Sequence, residues 1–401
     1  MVKIVHSMSS ATKVFENTKL LTRIFDFLGD ESIRNAFIKR PNKQILIYGQ
    51  VQSGKTAKIM EYIKKSNIRI KILMIQNSLS MLSQYERSLN TNKIKFYSVS
   101  QNNSWVIRRY LQMNYASNVV LLVMNNNYRR TALDEIVIKN KIRQYSLIMD
   151  ESDLYHKNMK NTLLYKKATE CVHVTATPFR SEYKGYFDDV LVIPPKKEYI
   201  GLNKLDIKFI PDVVCEYETT MKIISNDFLK SKQGIMLINI HSRISGMEDM
   251  SQYLFARPSL LEVPIVMISS KNTLYFNRKK KELSKMSVSE IISGLEEHQH
   301  IILIANRLAT RGINYSNLTY TRHLTHQIIK KTDSKTNFIQ RCRILGNKEG
   351  VENKLKLYCL NCDENYFGEV LEKVENISKD NNVLKVGYVE KPPKLVRAKT
   401  M

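Results

Sequence analysis

Long apolar runs are absent from this 401-residue chain. None approaches the roughly 18 consecutive apolar residues that a membrane-spanning helix needs, so no membrane partner is expected. The opening residues, Met1 to His6, hold no apolar core followed by a small-residue cleavage site. A secretory leader is therefore not expected, and a cytoplasmic location is. Cysteine is sparse, with residues at 171, 215, 342, 359 and 362. Only Cys359 and Cys362 have metal-like spacing, and no second pair completes a four-ligand zinc site. They read as reduced thiols. Acidic residues are few, 38 against 63 lysines and arginines, which leaves a formal net charge of +25. Such an excess favours a polyanionic partner, because each phosphate neutralised releases counterions. A lysine-rich surface that only aids solubility is the plainer alternative.

What is present begins with Ile45–Thr56, I-L-I-Y-G-Q-V-Q-S-G-K-T. The apolar run Ile45–Tyr48 reads as a buried strand and Ala57 onward as a helix, with Gly49, Gln52, Ser53, Gly54, Lys55 and Thr56 between them. Strand, G-x-x-x-x-G-K-[ST] and helix in that order define a phosphate-binding loop. Its backbone N–H groups wrap phosphates at a helix N-terminus, its lysine neutralises them, and its threonine can hold Mg²⁺. A nucleoside triphosphate is therefore the expected ligand.

Further strands are expected at Ile70–Gln76, Ile94–Val99, Val119–Met124, Ser146–Met149 and Cys171–Val174, with helices between them. One of those helices covers Leu154–Thr169. Alternation of this kind predicts a parallel α/β sheet covered on both faces. Reactive residues then collect at the C-terminal strand ends, where the loop, Asp150-Glu151-Ser152-Asp153 and Thr175-Ala176-Thr177-Pro178 all fall. After the Pro194–Gly201 boundary the alternation resumes, with strands at Gly234–Ile240, Ile265–Ser269, Ile301–Ala305, Thr319–Leu324 and Leu355–Leu360. The expected organisation is a helical extension over 1–40, one domain over 41–195, a second over 202–380 and a basic tail over 381–401.

An Asp-Glu pair at a strand end beside a phosphate loop suits metal binding by Asp150 and activation of water by Glu151. Plainer readings hold elsewhere. Trp105 is expected to pack half-buried, with base stacking as the alternative. The run Arg278–Lys281 reads as a solvated helix face, and His173 as a core residue.

Taken in order, G-x-x-x-x-G-K-T, D-E-S-D and T-A-T-P resemble the first three motifs of the superfamily 2 helicases. Thr310-Arg311-Gly312-Ile313-Asn314 is similar to their fifth motif and Gln340-Arg341-Cys342-Arg343-Ile344-Leu345-Gly346 to their sixth. A narrower resemblance joins the chain to a divergent helicase-like domain of bacterial defence and restriction proteins, large DNA viruses and phages. The resemblance implies two tandem RecA-like domains with Mg²⁺ and ATP between them, acting on DNA or RNA. Arg343 then fits the finger position, with Arg341 as the alternative, and Gly312 faces the nucleotide. Thr175, Thr177 and Arg311 couple the two sites. Asn77, Ser78, Asn125, Ser242 and Arg243 follow strands and suit backbone phosphates. The chain lacks the glycine and last arginine of Q-x-x-G-R-x-G-R, and Asn314 stands where aspartate is common. Translocation on a duplex without strand separation, and a binding scaffold with a degenerate motor, remain alternatives.

Overall fold

The computed structural model describes residues 42–113, 118–140, 142–179, 181–269, 271–283, 286–306, 313–348 and 355–386. The extension expected over 1–40, both Arg311 and Gly312, and the tail from 387 lie outside the described residues.

The first half builds a seven-stranded sheet. Its strands are β1 (Lys43–Tyr48), β2 (Ile70–Ile75), β3 (Phe96–Ser98), β4 (Val119–Met124), β5 (Tyr145–Asp150), β6 (Glu170–Thr175) and β7 (Asp189–Val192). They lie in the order β3-β4-β2-β5-β6-β1-β7, every pair parallel. Continuous apolar strands such as β4 need cover on both faces. On one face, α1 (Lys55–Lys65) and α2 (Leu79–Thr91) supply Ile59, Met60, Met81 and Leu89. The other is covered by α3 (Ser104–Met113), α4 (Asn127–Val137) and the short α5 (His156–Met159) and α6 (Leu163–Lys167). The single helix expected over Leu154–Thr169 does not form. Thr162 ends one helix and caps the next, since its hydroxyl donates to the Met159 carbonyl (2.8 Å) and accepts from the Tyr165 N–H (3.2 Å).

The boundary segment is packed in place. Its β8 (Tyr199–Ile200) pairs antiparallel with Gly346–Asn347, and the buried Tyr199 hydroxyl donates to the Val51 carbonyl (2.8 Å). The second sheet comprises β9 (Asp206–Ile210), β10 (Gly234–Asn239), β11 (Ile265–Ile268), β12 (Thr273–Phe276), β13 (Lys279–Glu282), β14 (His300–Ala305) and β15 (His326–Lys330). After the two-residue β16 (Gly346–Asn347), β17 (Lys356–Leu360) completes it. The order is β13-β12-β11-β14-β10-β15-β17-β9, parallel except at one edge, where β12 runs antiparallel to both β11 and β13. One face carries α7 (Glu216–Asn226) and α8 (Ile244–Phe255). The other carries α9 (Val288–Ser293), α10 (Lys335–Arg341) and α11 (Glu364–Lys379).

Two expectations are corrected here. The basic run Arg278–Lys281 is no helix face. Asn277 and Arg278 turn with φ of 51° and 58°, and Lys279–Glu282 is an exposed edge strand. Two left-handed residues suit a tight hairpin, and edge lysines discourage pairing with another chain. The strand expected at Thr319–Leu324 forms instead at His326–Lys330. The Asn317 amide donates to Glu296, Thr319 and Thr321, and Tyr320 takes φ of 61°, so the segment closes into a polar loop.

The halves share an apolar contact. Val51 and Ala176 of the first belong to the same core as Leu202, Ile339 and Leu345 of the second. Beyond α11 the turn Asn382–Leu384 returns to the first half, where the Leu384 carbonyl accepts from the Phe187 N–H (3.0 Å).

Candidate active site

The loop after β1 is shaped by three constraints. A Cβ on Gly49 would lie 2.5 Å from the Ser53 hydroxyl and 3.0 Å from Ile193, so only glycine fits without displacement. Gln52 and Gly54 take φ of 58° and 95°, and Gly54 forms the N-terminal boundary of α1. The first turn of α1 holds no acid, which leaves the positive end of its dipole uncompensated. Lys55 folds across the loop, its ammonium donating to the carbonyls of Gly49 (3.4 Å) and Gln50 (3.2 Å). An anion held by the loop's N–H groups would lie beside this charge.

Parallel register brings the acidic residues alongside. Tyr48 at the end of β1 pairs with Thr175 on β6, and Asp150 at the end of β5 pairs with Val174. At Glu151 the chain turns with φ of 52°, a left-handed conformation uncommon outside glycine. Asp150, Glu151 and Asp153 are only 5%, 4% and 3% exposed. Burial raises the Asp150 pKa, opposed by a hydrogen bond from Tyr85 and the charge of Lys55. Burial likewise lowers the Lys55 pKa, opposed chiefly by Glu151 and Asp150. Each charge thus offsets part of the desolvation cost of the other.

Two tyrosines that the sequence did not single out fix Asp150. The buried Tyr85 hydroxyl on α2 donates to its carboxylate (2.7 Å), and the Tyr155 hydroxyl donates to its backbone carbonyl and to that of Met74. Burial, with Asp150 close by, holds both phenols well above their ordinary pKa, so both stay protonated donors. Tyr85 also interacts with the Thr56 hydroxyl. Thr56 and Asp150 are hard oxygen donors joined through one phenol. Among the described residues no cluster of three metal-ligating side chains exists. That donor set fits Mg²⁺, which takes one or two protein oxygens and completes its shell with phosphate and water. Removing the outer partner of a metal-ligating carboxylate weakens metal binding by about 10–100-fold. Tyr85→Phe is accordingly expected to weaken nucleotide-dependent Mn²⁺ binding by about tenfold or more. An electron paramagnetic resonance titration reads this directly, with metal-free nucleotide affinity unchanged.

A buried chain of hydrogen bonds then leads to the second half. Thr175 donates to Asp153 (2.9 Å), and Thr177 donates to its other oxygen (3.3 Å). Gln340 on α10 donates to the Thr177 hydroxyl (3.0 Å). In the sequence, Gln340 is marked only by its place at the start of the sixth-motif stretch. Just beyond it, the Gln327 amide donates to the Arg341 carbonyl (2.5 Å) and accepts from the Ile344 N–H (2.9 Å), fixing the turn between them. Arg343 lies in that turn, 4% exposed, and donates to the Ile313 carbonyl (2.6 Å). Its own carbonyl accepts from Gln52 of the loop (3.1 Å), and its charge is among those acting on Lys55. Arg343 thus adjoins the phosphate loop through its backbone. Gly346, with φ of 132°, permits the approach, since a Cβ there would lie 2.8 Å from the Gln52 amide oxygen.

Lys348 follows the same turn, 5% exposed, and no carboxylate pairs with it among the described residues. Burial and the Arg343 charge push its pKa down to about 7. Between that value and the ordinary lysine range, the unfolded chain binds a proton that the folded chain does not, so this group adds stability as pH rises. Lys348→Met is expected to raise the thermal midpoint by several degrees below about pH 7 and by little above about pH 10. Thermal unfolding followed across that range checks the sign.

The residues considered for nucleic-acid contact lie at strand ends, with different freedom. Ser78 caps α2, accepting from the Met81 N–H (3.5 Å), while exposed Asn77 accepts from the Asn126 amide (3.0 Å). Asn125 is half-buried, its N–H donating to the Ile75 carbonyl (2.8 Å). Ser242 and Arg243 are exposed at the start of α8. Trp105 departs from expectation: it is 62% exposed rather than half-buried, because α3 turns Ile107 and Leu111 to the core instead. His173 is core, within hydrogen-bond distance of Gln44 (2.9 Å) and Tyr165 (3.2 Å).

No family model and no curated protein matches the chain. Three solved structures are similar to it in fold. RecG bound to a three-way DNA junction is similar at 13% identity and a TM-score of 0.48 over 91% of this chain, which spans 47% of that one. Dbp5 of S. cerevisiae, bound to RNA and ADP BeF3, is similar at 14% identity and a TM-score of 0.49 over 86% of this chain and 85% of that. A DEAD box protein of Methanococcus jannaschii is similar at 15% identity and a TM-score of 0.40, over 84% and 87%. These likenesses concern the fold.

Proposed function

We propose that the chain is a nucleic-acid-dependent ATP hydrolase of the superfamily 2 helicase type, coupling hydrolysis to movement along DNA or RNA or to its unwinding. One observation carries this reading. The loop whose carbonyls hold the Lys55 ammonium is bonded through Gln52 to Arg343 of the second half, and the charges of Glu151, Asp150 and Arg343 all act on Lys55.

Gly49, Gln52, Ser53 and Gly54 shape the loop whose N–H groups receive the phosphates, and Lys55 neutralises them. Thr56 and Asp150 would hold Mg²⁺, which when bound offsets charge on the phosphate oxygens. Glu151 orients and deprotonates the attacking water, and Arg343 stabilises charge on the transferring phosphoryl group. Arg341 and Gly312 are the further nucleotide contacts that the resemblance implies. The domains in this reading run over 41–195 and 202–380.

Coupling follows from the hydrogen-bond chain Thr175–Asp153–Thr177–Gln340, to which Arg311 is the expected addition. A change at the acidic turn displaces α10 relative to the first sheet, and Asn77, Ser78, Asn125, Ser242 and Arg243 then move with their respective halves. The test is the ATP hydrolysis rate with single- and double-stranded DNA and RNA, each across a salt series. Stimulation by at least one polymer, declining with salt, is expected. A rate indifferent to all four contradicts the reading. Stimulation by duplex without strand displacement would assign translocation rather than unwinding.

A further inference from the structure

The helices α3 and α4 start where β3 and β4, neighbours at one edge of the first sheet, come to an end. They pack against each other on one face of the sheet. Each presents a large aromatic side chain to solvent in its first turn: Trp105 is 62% exposed and Tyr128 73%. Neither ring contacts another aromatic ring among the described residues. The two starts are tied together, since Arg129 beside Tyr128 donates to the Val99 carbonyl at the end of β3 (2.8 Å). Large rings directed into water at two adjacent helix starts gain nothing from the core beneath them.

Charge identifies the occupant. From Arg87 to Leu133 the sequence holds no aspartate or glutamate, yet it holds seven lysines and arginines, and the carboxylate that reaches the end of β3, half-buried Glu86, accepts from the Ser98 hydroxyl (2.5 Å). Exposed Arg109 lies one turn after Trp105, and half-buried Arg129 and Arg130 follow Tyr128. Protein segments that bind proteins through aromatic anchors need not exclude carboxylates, whereas a polyanion is repelled by each one. Exposed rings among cations, with exposed Asn102 and Asn127 as amide donors, match the way unpaired nucleic acid is held: bases on ring faces and phosphates on cations. A duplex offers such a surface its phosphates alone, because its ring faces are stacked inside.

We propose that Trp105 and Tyr128 form a base-stacking site for an unpaired strand of DNA or RNA at this edge of the first sheet. This assignment rests on the nucleic-acid-dependent reading above and narrows it to a single-stranded track. The strand crosses the ends of β3 and β4, beside Asn125 and Asn77, with its bases turned toward the helix starts.

Trp105 is the only tryptophan in the chain, so its fluorescence reports the site without labelling. The full-length protein is titrated with an oligothymidylate, an oligouridylate, a blunt duplex and an abasic sugar–phosphate strand of equal length. Binding is followed separately by the polarisation of an end label. Both base-bearing single strands are expected to quench Trp105, while the duplex and abasic strand bind without quenching. Trp105→Ala and Tyr128→Ala are each expected to weaken single-strand binding by about 5–100-fold, and Trp105→Phe to restore most of it.

A base-bearing strand that binds by polarisation without quenching overturns the stacking site and leaves the motor reading intact. So does equal quenching by the abasic strand. If no polymer binds even at low salt, both readings fall together. An Arg130→Ala protein that loses salt-dependent affinity while Trp105 is still quenched supports the separation of phosphate and base contacts.

Discussion

Replacing Arg343 by alanine is expected to slow ATP turnover by about 10³–10⁵-fold while leaving nucleotide affinity within a fewfold of its starting value. The side chain is already desolvated, its guanidinium set against the Ile313 carbonyl and its backbone against Gln52 of the phosphate loop. A cation held there adds little to ground-state binding that Lys55 does not supply. It matters when charge spreads over the transferring phosphoryl oxygens. Arg343→Lys retains the charge without the planar fork, so it should recover only part of the loss. Single-turnover hydrolysis separates these effects from product release. Arg341→Ala, at a residue whose carbonyl is clamped by Gln327, is the comparison, and its effect is expected to be smaller.

Glu151→Gln is expected to lower turnover by about 10²–10⁴-fold, the usual contribution of a positioned general base. The substitution keeps the size of a side chain that is 4% exposed, so neither a cavity nor a fold change accompanies it. ATP should still bind, and the protein should accumulate in its nucleotide-bound form. Equilibrium nucleotide binding together with single-turnover hydrolysis checks both halves of the statement. A loss of affinity equal to the loss of rate would place Glu151 in nucleotide binding instead.

Much of this site was legible in the sequence because its parts are local. A strand, a glycine-bounded loop and Lys55-Thr56 form one continuous segment. Asp150-Glu151 and Thr175–Thr177 are each read from a strand end, and parallel register aligns those ends without further information. What joins the parts was not legible. Tyr85 occupies a buried helical position that any large apolar residue could fill, and only the fold shows its hydroxyl against Asp150. Gln327 and Gln340 are single amides in apolar segments, and their partners lie 14 to 163 positions away. Local errors had local causes. Thr162 interrupts an apparently continuous helical pattern by capping, and Asn277-Arg278 turns a basic run into a hairpin. Helical periodicity does not say which residue at a helix start faces water, and at the start of α3 it is Trp105.

The central claim is that the loop bounded by Gly49 and Thr56 binds ATP in a site completed by both halves of the chain. The most direct test is steady-state hydrolysis of Mg²⁺-ATP by the full-length protein and by Lys55→Ala, with single-stranded nucleic acid present. The original protein should hydrolyse ATP, while Lys55→Ala should show neither basal nor strand-stimulated turnover above the uncatalysed rate. Equal rates for the two proteins would contradict the claim.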